Sequence, residues 1–270
     1  MMSRLYKLGV IGTPIDHSLS PFIHSRFARQ ENINIDYRAY RVEEEELNSF
    51  IKEFFLTKDS KGLNITLPHK NLAFKQADTL SSESKEIQAV NTLWVDNKKI
   101  NGHTTDGEGF ISDLRLKSLQ VRGQHILIIG AGSAARSIIP FLLNLLPSEV
   151  TIINRTQEKA VLLARYFQNS TNISGRGFDS KSRYNYDAII NTSSHEALGT
   201  SLHISDNIFE KAQWVYDLMY SEKGTHFIQQ AKAKGIKNSF DGIGMLVAQA
   251  SLSFKIWTGV KPEVESVIDK

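Results

Sequence analysis

His125-Ile126-Leu127-Ile128-Ile129 is an uninterrupted apolar run, and Gly130-Ala131-Gly132-Ser133-Ala134-Ala135 follows it without a gap. A short apolar run closed by glycine predicts a strand at His125–Ile129, and the apolar spacing beyond Ser133 predicts a helix over 133–146. A G-x-G-x-x-A turn between strand and helix suits one purpose well. The first Gly allows the tight turn, and the second lets backbone approach a pyrophosphate. The small third position, Ala135, lets the helix pack closely on the strand. The helix N-terminus then offers free N–H groups and a positive dipole end to phosphate. Gly130, Ala131, Gly132, Ser133, Ala134 and Ala135 are therefore candidate dinucleotide-binding residues.

The end of the next strand, Val150–Ile153, selects the nucleotide. NAD-binding units place an acidic residue there to hold the ribose 2′-hydroxyl. This chain instead reads Asn154-Arg155-Thr156, with Lys159 one turn further. A carboxylate would repel a 2′-phosphate, whereas a guanidinium can pair with it bidentately. An exposed Arg at a helix start is mildly unfavourable against the dipole, which argues against a purely incidental cation. The expected cofactor is NADP(H).

Outward from this unit, helix 157–167 and the strands Asp187–Ile190 and Trp214–Leu218 continue a βαβ rhythm, the mark of a doubly wound parallel sheet. Residues 169–186 are polar and Ser-rich and read as a surface excursion. Upstream, Leu8–Ile11, Tyr37–Val42, Gly62–Thr66 and Thr92–Val95 are strand candidates. Leu47, Phe50, Ile51, Phe54 and Phe55 form a helical stripe. Another helix begins at Ser20-Pro21, with Ser able to cap and Pro suited to the first turn, and with Ile23 and Phe27 as its core contacts. A helix at Phe110, Ile111 and Leu114 joins the halves, and a last helix covers Gly242–Trp257. The fold class expected is α/β in two domains. Residues 1–105 form an N-terminal α/β substrate-binding domain and residues 106–240 a Rossmann-type NADP domain. Residues 241–270 return to the first domain.

The totals set outer limits. A chain of 270 residues exceeds what one core usually needs, and 41% hydrophobic with 23% charged residues is an ordinary globular profile. A net charge of +3 with no Lys/Arg block gives no sign of nucleic acid. There is no cysteine, hence no disulfide or thiolate metal site, which fits a cytoplasmic protein. The first residues lack a signal-peptide core, and the longest uncharged apolar run, 137–148, is too short for a bilayer and holds Pro140. The eight histidines show no metal-ligand spacing, so no metal is expected. His17 and His69 read as structural or supporting groups, and no G-x-S-x-G elbow marks a hydrolase.

Two segments of the first part carry polar groups in suggestive places. Ser18 and Ser20 stand two apart; in an extended segment both hydroxyls would face one anion, while simple helix capping is the plainer alternative. Asn64 and Thr66 alternate with Ile65 at a strand end, and Lys70 follows Pro68-His69 at the start of the next helix.

Together these stretches resemble the shikimate dehydrogenase family. The matching pieces are Pro14–Pro21, Asn64–Lys70, Ala89–Thr92, Thr105–Gly107, Gly130–Arg136, Asn154–Thr156, Tyr216-Asp217 with Tyr220, and Asp241–Gln249. They run in order along essentially the whole chain. The resemblance implies reversible reduction of 3-dehydroshikimate to shikimate by NADPH, a step toward aromatic amino acids. It implies a Lys70–Asp106 catalytic pair that also contacts substrate, with the pair rather than either residue as the acid–base unit. It implies a carboxylate clamp of Ser18 and Ser20 helped by Tyr220, and ring-hydroxyl ligands Asn64, Thr66, Asn91 and Gln249. On the cofactor side it implies Arg155, Thr156 and Lys159 at the 2′-phosphate, Gly244 and Met245 near the nicotinamide, and Asn154, Leu218 and Gly242 as further cofactor-binding residues. The small-molecule substrate is the expected partner, with a monomer or homodimer as the expected assembly. Two rivals stand beside this reading: a quinate/shikimate dehydrogenase and a silent NADP-binding module. Ser20, Thr66 and Arg155 favour the first reading over the quinate one, and retention of Lys70 and Asp106 speaks against silence.

Two positions depart from the family pattern. Thr104 stands where the G-x-N-T-D-G motif has Asn, which bears on the hydrogen bonding of that loop. Lys159 stands where Arg is common, keeping the charge but losing the fork.

Overall fold

The computed structural model describes residues 5–168, 172–178, 185–193 and 206–268. The chain divides into two compact units, Met1–Gly109 with Leu246–Lys270, and Phe110–Met245.

The first unit is built from β1 (Tyr6–Gly12), α1 (Ser20–Gln30), β2 (Ile35–Arg41), α2 (Leu47–Leu56), β3 (Ser60–Ile65), α3 (Lys70–Gln76), β4 (Thr79–Leu80), α4 (Ser82–Ile87), β5 (Thr92–Asp96) and β6 (Lys99–His103). Its sheet runs β2-β1-β3-β5-β6-β4. β1 is parallel to β2 and β3, and β5 is antiparallel to both β3 and β6. Leu47, Ile51 and Phe54 line the buried face of α2 at helical spacing and pack with Leu63 and Ile65 of β3. Ile23 and Phe27 of α1 meet residues from the end of the chain, Val247, Ala250 and Phe254. β4 and β6 went unread in the sequence because neither carries an apolar alternation.

The second unit contains most of α5 (Asp106–Leu116), then β7 (His125–Ile129), α6 (Ser133–Leu143), β8 (Glu149–Ile153), α7 (Gln157–Phe167), β9 (Ile173–Arg176), β10 (Ala188–Asn191), β11 (Trp214–Asp217), α8 (His226–Ala233) and β12 (Asn238–Phe240). α9 (Ile243–Thr258) starts in this unit and ends in the first, where α10 (Glu265–Ile268) follows. The sheet order is β12-β11-β10-β7-β8-β9 with every pairing parallel. Read from β9, this is the 3-2-1-4-5-6 order of a dinucleotide-binding fold. The continuous apolar run of β7 has a direct cause. Ile126 and Ile128 enter one core layer with Ile138 and Leu142 of α6, while Leu127 and Ile129 enter the other with Phe227 and Ile228 of α8. A strand covered on both faces needs no polar alternation.

One expectation is corrected here. The segment 169–186 is not merely an excursion, since Ile173–Arg176 forms β9, parallel to β8. Residues 169–171 and 179–184 of that segment lie outside the described residues. The helix expected over 133–146 ends at Leu143. Among the described residues no helix is long and apolar enough to cross a membrane.

His24 of α1 is fully buried, and its ring stacks on Tyr37 at 4.2 Å. Burial lowers its pKa from 6.5 to about 3, with Asn64 opposing weakly. The unfolded chain therefore binds a proton at His24 well before the folded one does. Stability contributed by this site is present above pH 6.5 and is lost as pH falls toward 3. The slope reaches at most about 1.4 kcal/mol per pH unit. Urea unfolding at pH 6.5 and pH 4.5 should show His24→Phe losing less stability on acidification than the wild type. Equal losses in the two proteins would refute the burial argument.

Candidate active site

Lys70 is the first residue of α3, and Asp106 opens α5. Their side chains meet in an ion pair of 2.6 Å, with Asp106 the more buried partner. Asp106 also profits from its place in the first turn of a helix, where the dipole favours a carboxylate. Its second oxygen accepts from Asn91 Nδ2 at 2.8 Å. His69 pins the turn before Lys70, its Nε2 donating to the Val42 carbonyl at 2.7 Å. That supports the structural reading of His69.

The surrounding polar groups form one buried network. Asn91 Nδ2 also faces Thr105 Oγ1 at 2.9 Å and Gln249 Oε1 at 3.1 Å. Gln249 cannot be flipped, because its Nε2 donates to the Leu246 carbonyl at 2.9 Å. Asn91 Oδ1 accepts from the Thr105 backbone N–H at 2.9 Å and from Thr92 Oγ1 at 2.8 Å. Asn64 joins through Ser253 Oγ at 3.0 Å, and Tyr37 donates to Asn64 Oδ1 at 2.8 Å. The structure thus brings Lys70, Asp106, Asn91, Gln249 and Asn64 together. Thr66 follows β3 and is partly buried. The sequence reading missed Tyr37 and Ser253, and it used Thr92 and Thr105 only as parts of motifs. Ser253 lies one helical turn after Gln249 on α9, a spacing that could have revealed it.

Thr104 is 1% exposed, and its hydroxyl has no partner among the described residues. The departure from Asn therefore leaves a buried polar atom unsatisfied in the loop, while Asp106 keeps both of its partners.

The Ser18–Ser20 reading needs correction. Leu19 is helical in backbone and Ser20 already lies inside α1, so the segment is not extended. Nor does Ser20 cap the helix with its side chain. Instead the Ser20 backbone N–H donates to Ser18 Oγ at 3.3 Å, so the capping function falls to Ser18. Ser18 keeps its own proton for donation, and Ser20 is buried.

In the second unit, Gly130 adopts φ +104°, and a Cβ there would meet Thr192 Oγ1 at 2.7 Å. Beyond it the loop opens: a Cβ on Gly132 would meet nothing within 4 Å. α6 begins at Ser133 with no side-chain cap, so its leading N–H groups are left for a ligand. Ala135 is fully buried against the core, as a small third position should be, while Ala131, Ser133 and Ala134 are partly buried. These features fit a diphosphate. Gly130→Ala should cost about 1–3 kcal/mol of stability through backbone strain and weaken NADPH binding at least about tenfold, as read by fluorescence titration. Unchanged affinity would remove the loop from the binding site.

Asn154 folds the turn after β8 by donating to the Thr156 carbonyl at 2.9 Å. Arg155, Thr156 and Lys159 are exposed, and Thr156 occupies the cap position of α7 without using its hydroxyl there. Leu218 continues β11, its N–H bonded to the Asn191 carbonyl at 2.9 Å, and Gly242 packs so closely on the Leu218 carbonyl that a Cβ would strike it. Gly244 packs on the buried Asp113, which accepts from Tyr216 at 2.6 Å and pairs with Lys117 at 3.0 Å. Met245 packs at the edge of the same core. Tyr220 is half-buried, and burial raises its hydroxyl above the usual phenol range, so it stays protonated and able to donate.

Three family matches tile the chain. Residues 10–93 match the shikimate dehydrogenase substrate binding domain, residues 113–216 match shikimate/quinate 5-dehydrogenase, and residues 242–270 match the shikimate 5′-dehydrogenase C-terminal domain. A curated shikimate dehydrogenase (NADP(+)) from Vibrio atlanticus is 38% identical over 99% of this chain and 97% of its own. The crystal structure of shikimate dehydrogenase from Aquifex aeolicus superposes with a TM-score of 0.86 at 33% identity, covering 100% of this chain and 98% of that one. The Thermus thermophilus shikimate 5-dehydrogenase in complex with NADP(H) and shikimate gives a TM-score of 0.87 at 29% identity, over 98% and 97%.

Proposed function

Because this chain belongs to the shikimate dehydrogenase family, we infer that it catalyses the reversible reduction of 3-dehydroshikimate to shikimate with NADPH. The observation that carries the chemistry is the 2.6 Å Lys70–Asp106 pair set in a network whose amides have fixed orientations.

When bound, NADPH supplies the hydride that turns the ring carbonyl into an alcohol. The chain's own task is to hold the substrate and manage one proton. Lys70 donates to the carbonyl oxygen and stabilises the alkoxide as negative charge grows there. Asp106 keeps the ammonium oriented, and Asn91 keeps Asp106 oriented in turn. The proton that completes the alcohol comes from the Lys70–Asp106 pair, which titrates as a unit. Ser18 and Ser20, with Tyr220, are proposed to take the substrate carboxylate. Asn64, Thr66, Asn91 and Gln249 are proposed for the ring hydroxyls.

The cofactor residues proposed are the Gly130–Ala135 loop for the diphosphate and Asn154, Arg155, Thr156 and Lys159 for the 2′-phosphate and adenosine end. Leu218, Gly242, Gly244 and Met245 are assigned to the nicotinamide end. Residues 1–105 are proposed as the substrate-binding domain, 106–240 as the NADP domain, and 241–270 as C-terminal helices that pack back on the first. We further propose a cytoplasmic enzyme acting as a monomer or homodimer.

The test is turnover of shikimate against quinate with NADP. Shikimate should be oxidised and quinate left nearly untouched. Comparable rates would make this a dual quinate/shikimate enzyme, and no turnover of either would leave a binding module.

A further inference from the structure

One phenol in the buried network has no part in moving the proton. Tyr37 stands on β2, and its hydroxyl lies 2.8 Å from Asn64 Oδ1. The direction of that bond is forced. The Asn91 backbone carbonyl can only accept, so the Asn64 atom 3.1 Å from it is the amide nitrogen. The same nitrogen faces Ser253 Oγ at 3.0 Å. Asn64 must therefore turn its oxygen toward Tyr37, and the phenol must donate. Burial holds the Tyr37 hydroxyl well above the usual phenol range, with neighbouring Ser20 acting in the opposite sense, so the proton stays on Tyr37. The ring is fixed as well, lying 12° from parallel on the buried His24.

With its amide hydrogens committed to protein acceptors, Asn64 can offer a ligand only the second lone pair of Oδ1. We propose that Tyr37 is a positioning residue for substrate, holding the Asn64 carboxamide so that its oxygen accepts a hydrogen bond from a ring hydroxyl of the bound molecule. The proposal rests on reading this network as the shikimate site. Loss of the phenol hydroxyl takes from the buried Asn64 Oδ1 the 2.8 Å donor that fixes it, which frees the amide to take other orientations. The Lys70–Asp106 pair makes no contact through Tyr37, so chemistry after binding should be spared.

The experiment is Tyr37→Phe in the full-length chain, with steady-state kinetics and a thermal melt. KM for shikimate should rise about tenfold, the size expected from one buried hydrogen bond, while kcat and the KM for NADP stay within about twofold. Asn64→Ala, alone and combined with Tyr37→Phe, completes a cycle, with Asn64→Ser as the substitute if the Ala variant does not fold. In either Asn64 background the effect of Tyr37→Phe on the shikimate KM should vanish. An unchanged shikimate KM, an undiminished effect in the Asn64 background, or a parallel loss in kcat and NADP KM would overturn the proposal. A wild-type chain that fails to oxidise shikimate would instead sink the functional reading, which keeps the two failures distinct.

Discussion

Lys70→Ala lowers kcat for shikimate oxidation by roughly 10²–10⁴, the range of a lost general acid–base group. The expectation follows from the geometry. Asp106 has two oxygens and two partners, Lys70 at 2.6 Å and Asn91 at 2.8 Å. Removing the ammonium leaves the carboxylate with Asn91 alone and would leave the reacting oxygen, alcohol or carbonyl, with no cationic partner. NADP affinity should not change, because the loop at Gly130–Ala135 belongs to the other unit. A loss confined to KM, with kcat intact, would recast Lys70 as a substrate ligand only. The comparison variant is Lys70→Arg. It keeps a cation but replaces a compact, rotatable donor with a planar fork whose proton is not released, so it should recover binding and little of the rate.

Arg155→Asp has the second large effect. Arg155 and Lys159 are both exposed around the cap position of α7, and Thr156 leaves its hydroxyl unused there. A guanidinium bonded to a phosphate contributes on the order of 1.5–3 kcal/mol, and an Asp in its place adds repulsion. The kcat/KM with NADP should fall about 100-fold, while that with NAD is unchanged or improved, since the new carboxylate can accept from a ribose 2′-hydroxyl. Unchanged NADP/NAD selectivity would remove Arg155 from the phosphate site. Lys159→Ala should have a smaller effect in the same direction, because a lone ammonium grips a phosphate less specifically than a fork does.

What could be read in advance followed from how local each signal is. The β7–α6–β8 unit was legible because a strand buried on both faces shows as an unbroken apolar run and the tight turn after it shows as spaced glycines. Lys70, Asp106, Asn91 and Gln249 were legible because each stands inside a short motif. β9 was not, since Ile173-Ser174-Gly175-Arg176 is a partly exposed edge strand with one apolar residue. Tyr37 and Ser253 were not, because a tyrosine and a serine are unremarkable locally, and it is the fold that brings residues 37, 64, 92 and 253 together. Ser18 and Ser20 show the opposite failure. Their spacing was visible, but the geometry drawn from it assumed an extended backbone, whereas Leu19 is helical and Ser20 opens the first turn of α1.

The most direct test of the account is the initial rate of reduced-nucleotide formation by the wild-type chain with shikimate, measured in parallel with NADP and with NAD. The account predicts rapid formation of NADPH and a much lower kcat/KM with NAD. Absence of turnover with shikimate, or equal efficiency with the two nucleotides, would contradict it.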